Sequence, residues 1–195
     1  MVGRPRSDEA RQAILSAALA ELGDRGYAAV TVEGIAARAG VGKQTIYRWW
    51  PSKADVVLEA AGVEAEARIA VPDRGSLAAD LRGFLAATFR QRSQQRVVVG
   101  LMAQALLDAA FAEKFREQFL FGRRAALRAV FERADERGEL PAGVDVELLI
   151  DVVFGVLWYR LLIGHAPLTP RAARQLAELV ERAVEGYRRA QTTKR

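Results

Sequence analysis

The feature that most constrains this chain is a stretch from Thr31 to Lys53, which reads TVEGIAARAGVGKQTIYRWWPSK. Thr31 is a good N-cap, because its hydroxyl can accept a hydrogen bond from a backbone N–H of the first helical turn. Gly40 lies where a helix C-terminus favours a left-handed residue, and Gly42 can begin a second helix two residues later. Pro51 ends this second helix, since the residue before a proline disfavours helical geometry. Two short helices joined by a glycine-containing turn are typical of a helix-turn-helix.

The second helix of this stretch, predicted from Lys43 to Trp50, has an apolar edge and a polar face. At about 100° per residue, Ile46 and Trp50 lie on one side, whereas Gln44 and Arg48 lie nearly opposite. Glutamine suits adenine and arginine or lysine suits guanine in a major groove, and hydroxyl groups suit phosphates. The polar face therefore predicts contact with DNA. The alternative is an ordinary amphipathic helix with a solvated face, and the adjoining turn and helix favour the DNA-binding interpretation.

This stretch and the run before it, ILSAALAELGDRGYAAV, resemble the N-terminal DNA-binding domain of the tetracycline-repressor (TetR) family of bacterial transcription regulators. The resemblance covers about residues 10 to 58. It departs from the family pattern at Gly42, where serine is frequent, and at Trp49, where histidine or tyrosine is common. The matching positions are Gly26-Tyr27, Thr31, Ile35-Ala36, Ala39-Gly40-Val41, Ile46-Tyr47, Trp50 and Ser52-Lys53.

The resemblance implies that three side chains of this stretch approach bases and that four approach phosphates. Arg48 is a further candidate for contact with DNA, because it lies on the polar face of the second helix. The phosphate contact of Trp49 would have to come from its indole N–H, which is the only polar group of that side chain. The expected base-contacting residues are Lys43, Gln44 and Tyr47. The expected phosphate-contacting residues are Thr31, Thr45, Trp49 and Lys53.

The composition excludes several classes of protein. The chain has 195 residues, of which 51% are hydrophobic and 27% charged, so it can bury a core and is not a disordered segment. It contains no cysteine, which excludes disulfides and thiolate metal sites and fits a reducing cytoplasm. The polar residues after Met1 do not form a signal peptide, and we expect a cytoplasmic protein. The net charge of +5 is compatible with nucleic acid, but residues 1–55 carry only +2 of it, from 8 basic and 6 acidic residues.

Helical periodicity continues through the rest of the chain, and no stretch favours a strand except Val97-Val98-Val99, which keeps that possibility open. Ser52 and Asp55 form a capping-box variant at the start of a long connecting helix, and we place the domain boundary in this helix. Residues 1–55 are expected to form the helix-turn-helix DNA-binding domain, and residues 56–195 a helical ligand-binding and dimerisation domain. The predicted fold is all-α, with about nine helices. It consists of an N-terminal three-helix helix-turn-helix domain plus a C-terminal helical bundle for ligand binding and dimerisation.

The helix from Leu148 to Ile163 is apolar on nearly every side. It is shorter than the roughly 18–20 residues that cross a bilayer, and no membrane is expected as a partner. Such a helix must be covered on more than one side, and a second copy of the chain can cover what one small chain leaves exposed. We therefore expect a homodimer through helices 145–163 and 169–189, with Gly155 allowing close approach. The alternative is a buried helix in a monomer. Paired recognition helices would address half-sites about 34–36 Å apart on a pseudo-palindromic operator of double-stranded DNA.

Large or soft side chains occur on several helices of the C-terminal half. If they close imperfectly, they leave an apolar cavity for a small apolar or aromatic effector. The alternative for each of them is an ordinary packed core. That a cavity exists is implied mainly by the family resemblance. The candidate ligand-binding residues are Phe84, Thr88, Met102, Gln104, Phe115, Phe119, Phe154 and Trp158.

The sequence contains no constellation that predicts catalysis, a metal site or a cofactor. His165 is the only histidine, and no serine or aspartate lies at a spacing that suggests a triad. The GVGK run from Gly40 to Lys43 is too short for a P-loop, and no DxDxDG run is present. We expect a ligand-responsive dimeric transcriptional repressor, released from its operator by a small effector, and not an enzyme. Two alternatives stay open: a transcriptional activator of the same fold, and a small-molecule sensor or carrier without operator binding.

Overall fold

The computed structural model describes the backbone of residues 5–68, 71–90 and 92–192 and, of these, all side chains except those of residues 5–7, 65–68, 92–96 and 191–192. All regular structure in these ranges is helical, which confirms the all-α prediction. The helices are α1 (Pro5–Ala29), α2 (Val32–Ala39), α3 (Lys43–Tyr47), α4 (Lys53–Arg68), α5 (Leu77–Arg90), α6 (Arg92–Leu107), α7 (Ala109–Phe115), α8 (Phe121–Glu136), α9 (Val146–Ile163) and α10 (Pro170–Thr192). A π-helical turn, Arg116–Leu120, joins α7 to α8 without a break, so the described helices number nine when α7 and α8 are counted as one.

The first helix of the helix-turn-helix begins and ends where the sequence predicts. Thr31 Oγ1 accepts a hydrogen bond from the backbone N–H of Gly34 at 3.0 Å, and so caps α2. Gly40 ends α2 with a φ of 67°, in the left-handed region that glycine adopts without strain. Gly42 then precedes α3 in an extended conformation and has no side chain to cap it.

Helix α3 ends at Tyr47, so the predicted end at Trp50 is wrong by three residues. The backbone N–H of Trp49 donates to the carbonyl of Ile46, three residues back, at 3.0 Å. The same carbonyl also accepts the backbone N–H of Trp50, four residues on, at 2.9 Å, so the last turn combines a tight bond with an α-helical one. Pro51 adds to the effect, because it excludes helical geometry at the residue before it. The second half of the motif is therefore a short helix followed by a tight turn, and we call residues 43–50 the recognition segment.

Two compact units make up the chain. The first contains residues 1–68 and 93–122, and the second contains residues 69–92 and 123–195. The first unit thus includes helices from both predicted domains. The predicted division between residues 55 and 56 concerns function, and it stays a prediction.

In the first unit, α1 packs against α2 and α4, and α4 packs against the π-helical turn. The regular course of α1 ends at Gly26, whose φ of 72° is not helical and breaks the helix. Gly34 allows α1 and α2 to approach closely, because a Cβ there would lie 2.8 Å from a carboxylate oxygen of Glu21. Glu21 is itself buried, and it lies 3.1 Å from the guanidinium of Arg38 on α2. The deeply buried side chains of this unit include Ile14, Ala18, Ile35, Ile46, Val56, Val57, Leu58 and Leu101.

In the second unit, α5 packs against α10, and α5, α8, α9 and α10 share one hydrophobic core. A polar cluster joins the start of α5 to the end of α8. The fully buried carboxylate of Asp80 accepts the backbone N–H of Arg74 at 2.6 Å and pairs with Arg137 at 3.2 Å. Glu139 accepts the backbone N–H of Leu77 at 2.7 Å, which satisfies a donor in the first turn of α5. The core includes Leu81, Phe84, Leu127, Phe131, Ile150, Phe154, Ala173 and Val180.

Candidate nucleic-acid interface

The recognition segment is anchored on one side and exposed on the other. Ile46 is fully buried, and Trp50 is 3% exposed. Gln44, Tyr47 and Arg48 are exposed, Tyr47 to 51% of its surface. This arrangement follows the predicted helical spacing. The segment therefore presents an amide, a phenol and a guanidinium to whatever contacts this surface.

Lys43, in the first turn of α3, is exposed and forms an ion pair with Glu33 of α2 at 2.9 Å. The hydrogen bond from Lys43 lowers the pKa of the Glu33 carboxyl, and the same bond raises the pKa of the Lys43 ammonium. The pair bridges the two helices of the motif, but because it is exposed it adds little to stability. A phosphate nearby would compete with Glu33 for the ammonium, since both are strong acceptors for a charged donor.

Some of the residues expected to contact phosphates already form hydrogen bonds within the protein. Thr31 accepts the α2 capping bond, and its hydroxyl hydrogen can still donate to a phosphate. The ammonium of Lys53 donates to the carbonyl of Tyr27 at 3.2 Å and lies 4.8 Å from the centre of the Tyr27 ring. Thr45 is half-buried. Lys53 therefore has to share or exchange its contacts with Tyr27 in order to bind DNA.

Three consecutive side chains at the end of the recognition segment are in contact with one another. The guanidinium of Arg48 lies 5.3 Å from the centre of the Trp49 ring, within the range of a cation–π contact. The rings of Trp49 and Trp50 meet edge to face, with centroids 5.5 Å apart and an interplanar angle of 85°. The indole N–H of Trp50 donates to Glu59 of α4 at 2.8 Å. Trp49 is half-buried by these neighbours.

Two residues that support this surface could not be predicted from the sequence pattern. Glu59 lies in the mostly apolar run VVLEAAGV, and a carboxylate in such a run is a signal that could have revealed a buried partner. Tyr27 belongs to the run that resembles the family, but nothing in the sequence pairs it with Lys53, 26 residues later. Both contacts depend on how α4 packs against the rest of the unit.

The predicted ligand-binding residues divide evenly between the two units. Phe115 and Phe119 stack in the first unit, with ring centroids 5.4 Å apart. Phe154 and Trp158 stack in the second unit, with ring centroids 6.3 Å apart. The first unit contains Met102, Gln104, Phe115 and Phe119. The second unit contains Phe84, Thr88, Phe154 and Trp158.

The polar and flexible members of this set have limited exposure. The hydroxyl of Thr88 donates to the carbonyl of Phe84 at 2.9 Å, and Met102 and Gln104 are half-buried. A cavity of about 450 Å³ occurs elsewhere in the second unit, and none of the eight predicted residues lines it. The ligand-binding role of the eight residues therefore stays a prediction. The cavity lining includes Arg128, Phe131, Glu132, Leu140, Val144 and Glu147.

Within the described parts of the chain, no helix combines the length and the apolar character that a membrane crossing requires. The same parts contain no group of three or more histidine, cysteine, aspartate or glutamate side chains that could hold a metal ion. His165 packs against the ring of Tyr159, with ring centroids 4.6 Å apart.

Two family profiles match the chain. Residues 14–60 match the family described as "Bacterial regulatory proteins, tetR family". Residues 71–180 match the family described as "Tetracyclin repressor-like, C-terminal domain". The first match covers the helix-turn-helix, and the second covers more than half of the chain.

Individual proteins agree with the profiles. The HTH-type transcriptional regulator YdeS of Bacillus subtilis (strain 168) is 36% identical over 193 residues, which are 98% of this chain and 96% of the relative. The solved structure of the TetR family transcription regulator SCO0332 has a TM-score of 0.78 at 32% identity, over 89% of this chain and 97% of that one. The transcriptional regulator FadR from Bacillus subtilis, solved in complex with stearoyl-CoA, shares the fold with a TM-score of 0.63 at 20% identity, over 87% and 96% of the two chains. The chain therefore belongs to the TetR family of bacterial regulatory proteins, and it is a DNA-binding transcriptional regulator rather than an enzyme.

Proposed function

We propose that the protein is a ligand-responsive repressor that binds a pseudo-palindromic operator as a homodimer and leaves it when a small apolar or aromatic effector binds. One observation carries the DNA-binding part of the proposal. Gln44, Tyr47 and Arg48 are exposed together on a segment whose other side is anchored by Ile46 and Trp50. Family membership supports repression, because one matching profile describes a tetracyclin repressor-like domain.

The exposed groups of the recognition segment match the chemistry of a major groove. Gln44 can form a bidentate pair with adenine, and Lys43 or Arg48 can do the same with guanine. Tyr47 contributes a phenol that can bond a base edge or a phosphate. Base contacts select the sequence, whereas phosphate contacts set the register of the protein on the duplex. The proposed phosphate contacts come from Thr31, Thr45, Trp49 and Lys53.

The DNA-binding part is tested by selecting DNA fragments from a random pool with the purified protein and measuring affinity for the selected site. Gln44→Ala should cost about 1–3 kcal/mol of binding free energy and relax specificity at one base position of each half-site. Gln118→Ala is the matched control, because Gln118 is an exposed glutamine of the π-helical turn. It should leave affinity and specificity unchanged. A selected site bound equally well by the wild-type and Gln44→Ala proteins would refute base reading by Gln44.

The dimeric part of the proposal is supported by α9. Large apolar side chains stay exposed along one row of this helix, and an exposed row of this kind indicates a contact surface. A Cβ at Gly155, within the row, would meet no atom within 4 Å, so a partner helix can approach the backbone there. Leu179 and Tyr187 add exposed apolar surface on α10. The exposed apolar residues of α9 are Leu148, Val152, Tyr159, Leu162 and Ile163.

Sedimentation equilibrium tests this surface. The wild-type protein should have twice the mass of the 21.4 kDa chain. Gly155→Glu places a charge in the apolar row and should shift the protein to the monomer, because a buried unpaired carboxylate is costly. Gly122→Glu is the matched control, since Gly122 is also exposed and a Cβ there also meets no atom within 4 Å. A dimer that survives Gly155→Glu unchanged would rule out this face as the interface.

The effector part of the proposal concerns the predicted domain of residues 56–195. The related FadR was solved in complex with stearoyl-CoA, which supports an apolar class of ligand for this chain. Stacked aromatic pairs, Phe115 with Phe119 and Phe154 with Trp158, have the same apolar character. The effector can release DNA only if it binds one arrangement of the recognition helices more tightly, typically by about 1–3 kcal/mol.

Release of the selected operator tests the effector part. Stearoyl-CoA and coenzyme A form a matched pair of probes, and a second pair is naphthalene-2-carboxylate and acetate. The member with the apolar group should lower operator affinity, whereas its partner should not. If neither apolar probe lowers operator affinity, the proposed ligand class is wrong while the DNA-binding part stands.

A further inference from the structure

Glu59 on α4 connects three helical segments of the first unit through the two oxygens of one carboxylate. Its Oε2 accepts the indole N–H of Trp50, at the end of the recognition segment, at 2.8 Å. Its Oε1 accepts a hydrogen bond from the guanidinium of Arg11 on α1. The Glu59 side chain is 25% exposed and Trp50 is 3% exposed, so water competes little for the indole bond. Two charge-assisted bonds from different helices give this carboxylate a defined orientation.

From Trp50 the contacts continue to the exposed face of the recognition segment. The Trp50 ring meets the Trp49 ring edge to face, and the Arg48 guanidinium lies over the Trp49 ring. Each of these contacts depends on the direction of the groups involved, as hydrogen bonds, edge-to-face rings and cation–π pairs do. A rotation of the Trp50 indole would therefore displace Trp49, and with it the exposed guanidinium.

We propose that Glu59 and Trp50 are positioning residues for operator recognition. The Glu59 carboxylate fixes the plane of the Trp50 indole, and the Trp50 ring fixes the orientation of the Trp49 ring. The Trp49 ring in turn fixes the position of the Arg48 guanidinium. This inference rests on the proposed DNA-binding function. A packing role alone requires an aromatic ring at position 50, and phenylalanine supplies one. The indole N–H adds a directional constraint that packing does not need. Because the acceptor lies on α4, the place of Arg48 depends on the position of α4.

The chain offers variants that separate positioning from packing. Trp50→Phe keeps a ring in the core and removes the N–H donor. Glu59→Ala removes the acceptor, whereas Glu59→Gln keeps one acceptor oxygen for the indole and loses the charge that pairs with Arg11. Glu113→Ala is the matched control, because Glu113 is an exposed carboxylate of the same unit that pairs with Arg116. Affinity is measured for the selected operator and for a scrambled duplex, and thermal unfolding verifies that each variant is folded at the temperature of the assay.

Trp50→Phe and Glu59→Ala should each lower affinity for the operator about tenfold, in line with the loss of one base contact from the displaced Arg48 guanidinium. Affinity for the scrambled duplex should change by less than about twofold, because phosphate attraction does not require a fixed guanidinium direction. Glu59→Gln should keep most of the operator affinity, and Glu113→Ala all of it. The double variant of Trp50→Phe and Glu59→Ala should lose no more than either single variant, since both act on one bond.

Additive losses in the double variant, or equal losses on the two duplexes, would overturn the positioning role. A fully retained operator affinity in Trp50→Phe would overturn it as well. Failure of the proposed function is a separate result: in that case the wild-type protein itself does not distinguish the operator from the scrambled duplex, and the positioning role falls with it.

Discussion

Gly100 lies in α6 against the side chain of Tyr27, and its replacement by alanine is a perturbation whose size follows from the structure. A Cβ on Gly100 would lie 2.4 Å from both Cγ and Cδ1 of the Tyr27 ring and 2.7 Å from the Tyr27 Cβ. Carbon atoms in ordinary contact are about 3.5–4.0 Å apart. The ring or the helix must therefore move by about 1 Å to admit the methyl group.

Two opposing effects set the free energy of unfolding of the Gly100→Ala protein. An additional methyl group in a filled contact costs about 1–3 kcal/mol. Alanine gains about 1 kcal/mol over glycine inside a helix. Gly122→Ala has only the second effect, because a Cβ there meets no atom within 4 Å while the helical gain is similar, so comparison with it isolates the first effect. Gly100→Ala should thus be less stable than Gly122→Ala by about 1–3 kcal/mol, and each kcal/mol lowers the Tm of a chain of this size by about 2–4 °C.

Urea unfolding at one fixed protein concentration, followed by far-ultraviolet circular dichroism, measures this difference. In a Tyr27→Ala background, the penalty of Gly100→Ala should disappear, because the ring that the methyl group meets is gone. Equal stability of the Gly100→Ala and Gly122→Ala proteins would refute the close contact between α6 and Tyr27.

Three further predictions concern charged groups. Glu33→Gln should tighten operator binding, because it removes a carboxylate that holds Lys43 at 2.9 Å and repels phosphates; unchanged or weaker binding in fluorescence anisotropy would count against this role of the pair. Lys53→Ala should weaken binding to all DNA about equally and lower the salt slope by about 1 per subunit, so a loss confined to the operator would contradict a phosphate contact. Burial alone raises the pKa of Glu139, but the hydrogen bond from the Leu77 N–H and a neighbouring guanidinium outweigh it and hold the pKa below its usual value of 4.5. The ionised Glu139 carboxylate therefore stabilises the folded state fully above pH 4.5, and this stabilisation is lost as the pH falls through the lower pKa of the folded state. The difference in unfolding free energy between wild-type and Glu139→Gln should shrink in acid. A difference independent of pH in urea unfolding would contradict this.

Much of the helix-turn-helix could be predicted from the sequence, because its signals are local. The cap at Thr31 and the left-handed residue at Gly40 each act on backbone groups within a few residues. The apolar edge of Ile46 and Trp50 follows from helical periodicity, and both side chains are buried as predicted. The end of α3 could not be predicted to the residue, because a proline signal does not show whether the last turn is α-helical or tighter.

The distribution of the predicted ligand-binding residues illustrates a limit of periodicity. Periodicity identifies Phe84 and Phe115 as inward-facing residues, and both are buried, as is Phe154 on the helix that is apolar on nearly every side. It does not indicate which inward-facing residues share a core, and the structure assigns Phe115 to one compact unit and the other two to the second. Each helix presents its apolar face to whichever neighbour the whole chain path brings to it.

The sequence by itself determined where α2 begins and ends and which side of the recognition segment is apolar, because capping, left-handed glycines and helical periodicity act over about four residues. Only the tertiary structure decided that Glu59 accepts hydrogen bonds from Trp50 and Arg11, and that Lys53 donates to the carbonyl of Tyr27. Arg11 and Glu59 are 48 residues apart, and Tyr27 and Lys53 are 26 apart. Such partners meet through the close packing of whole helices, and the atomic fit of that packing leaves no short-range pattern in the chain.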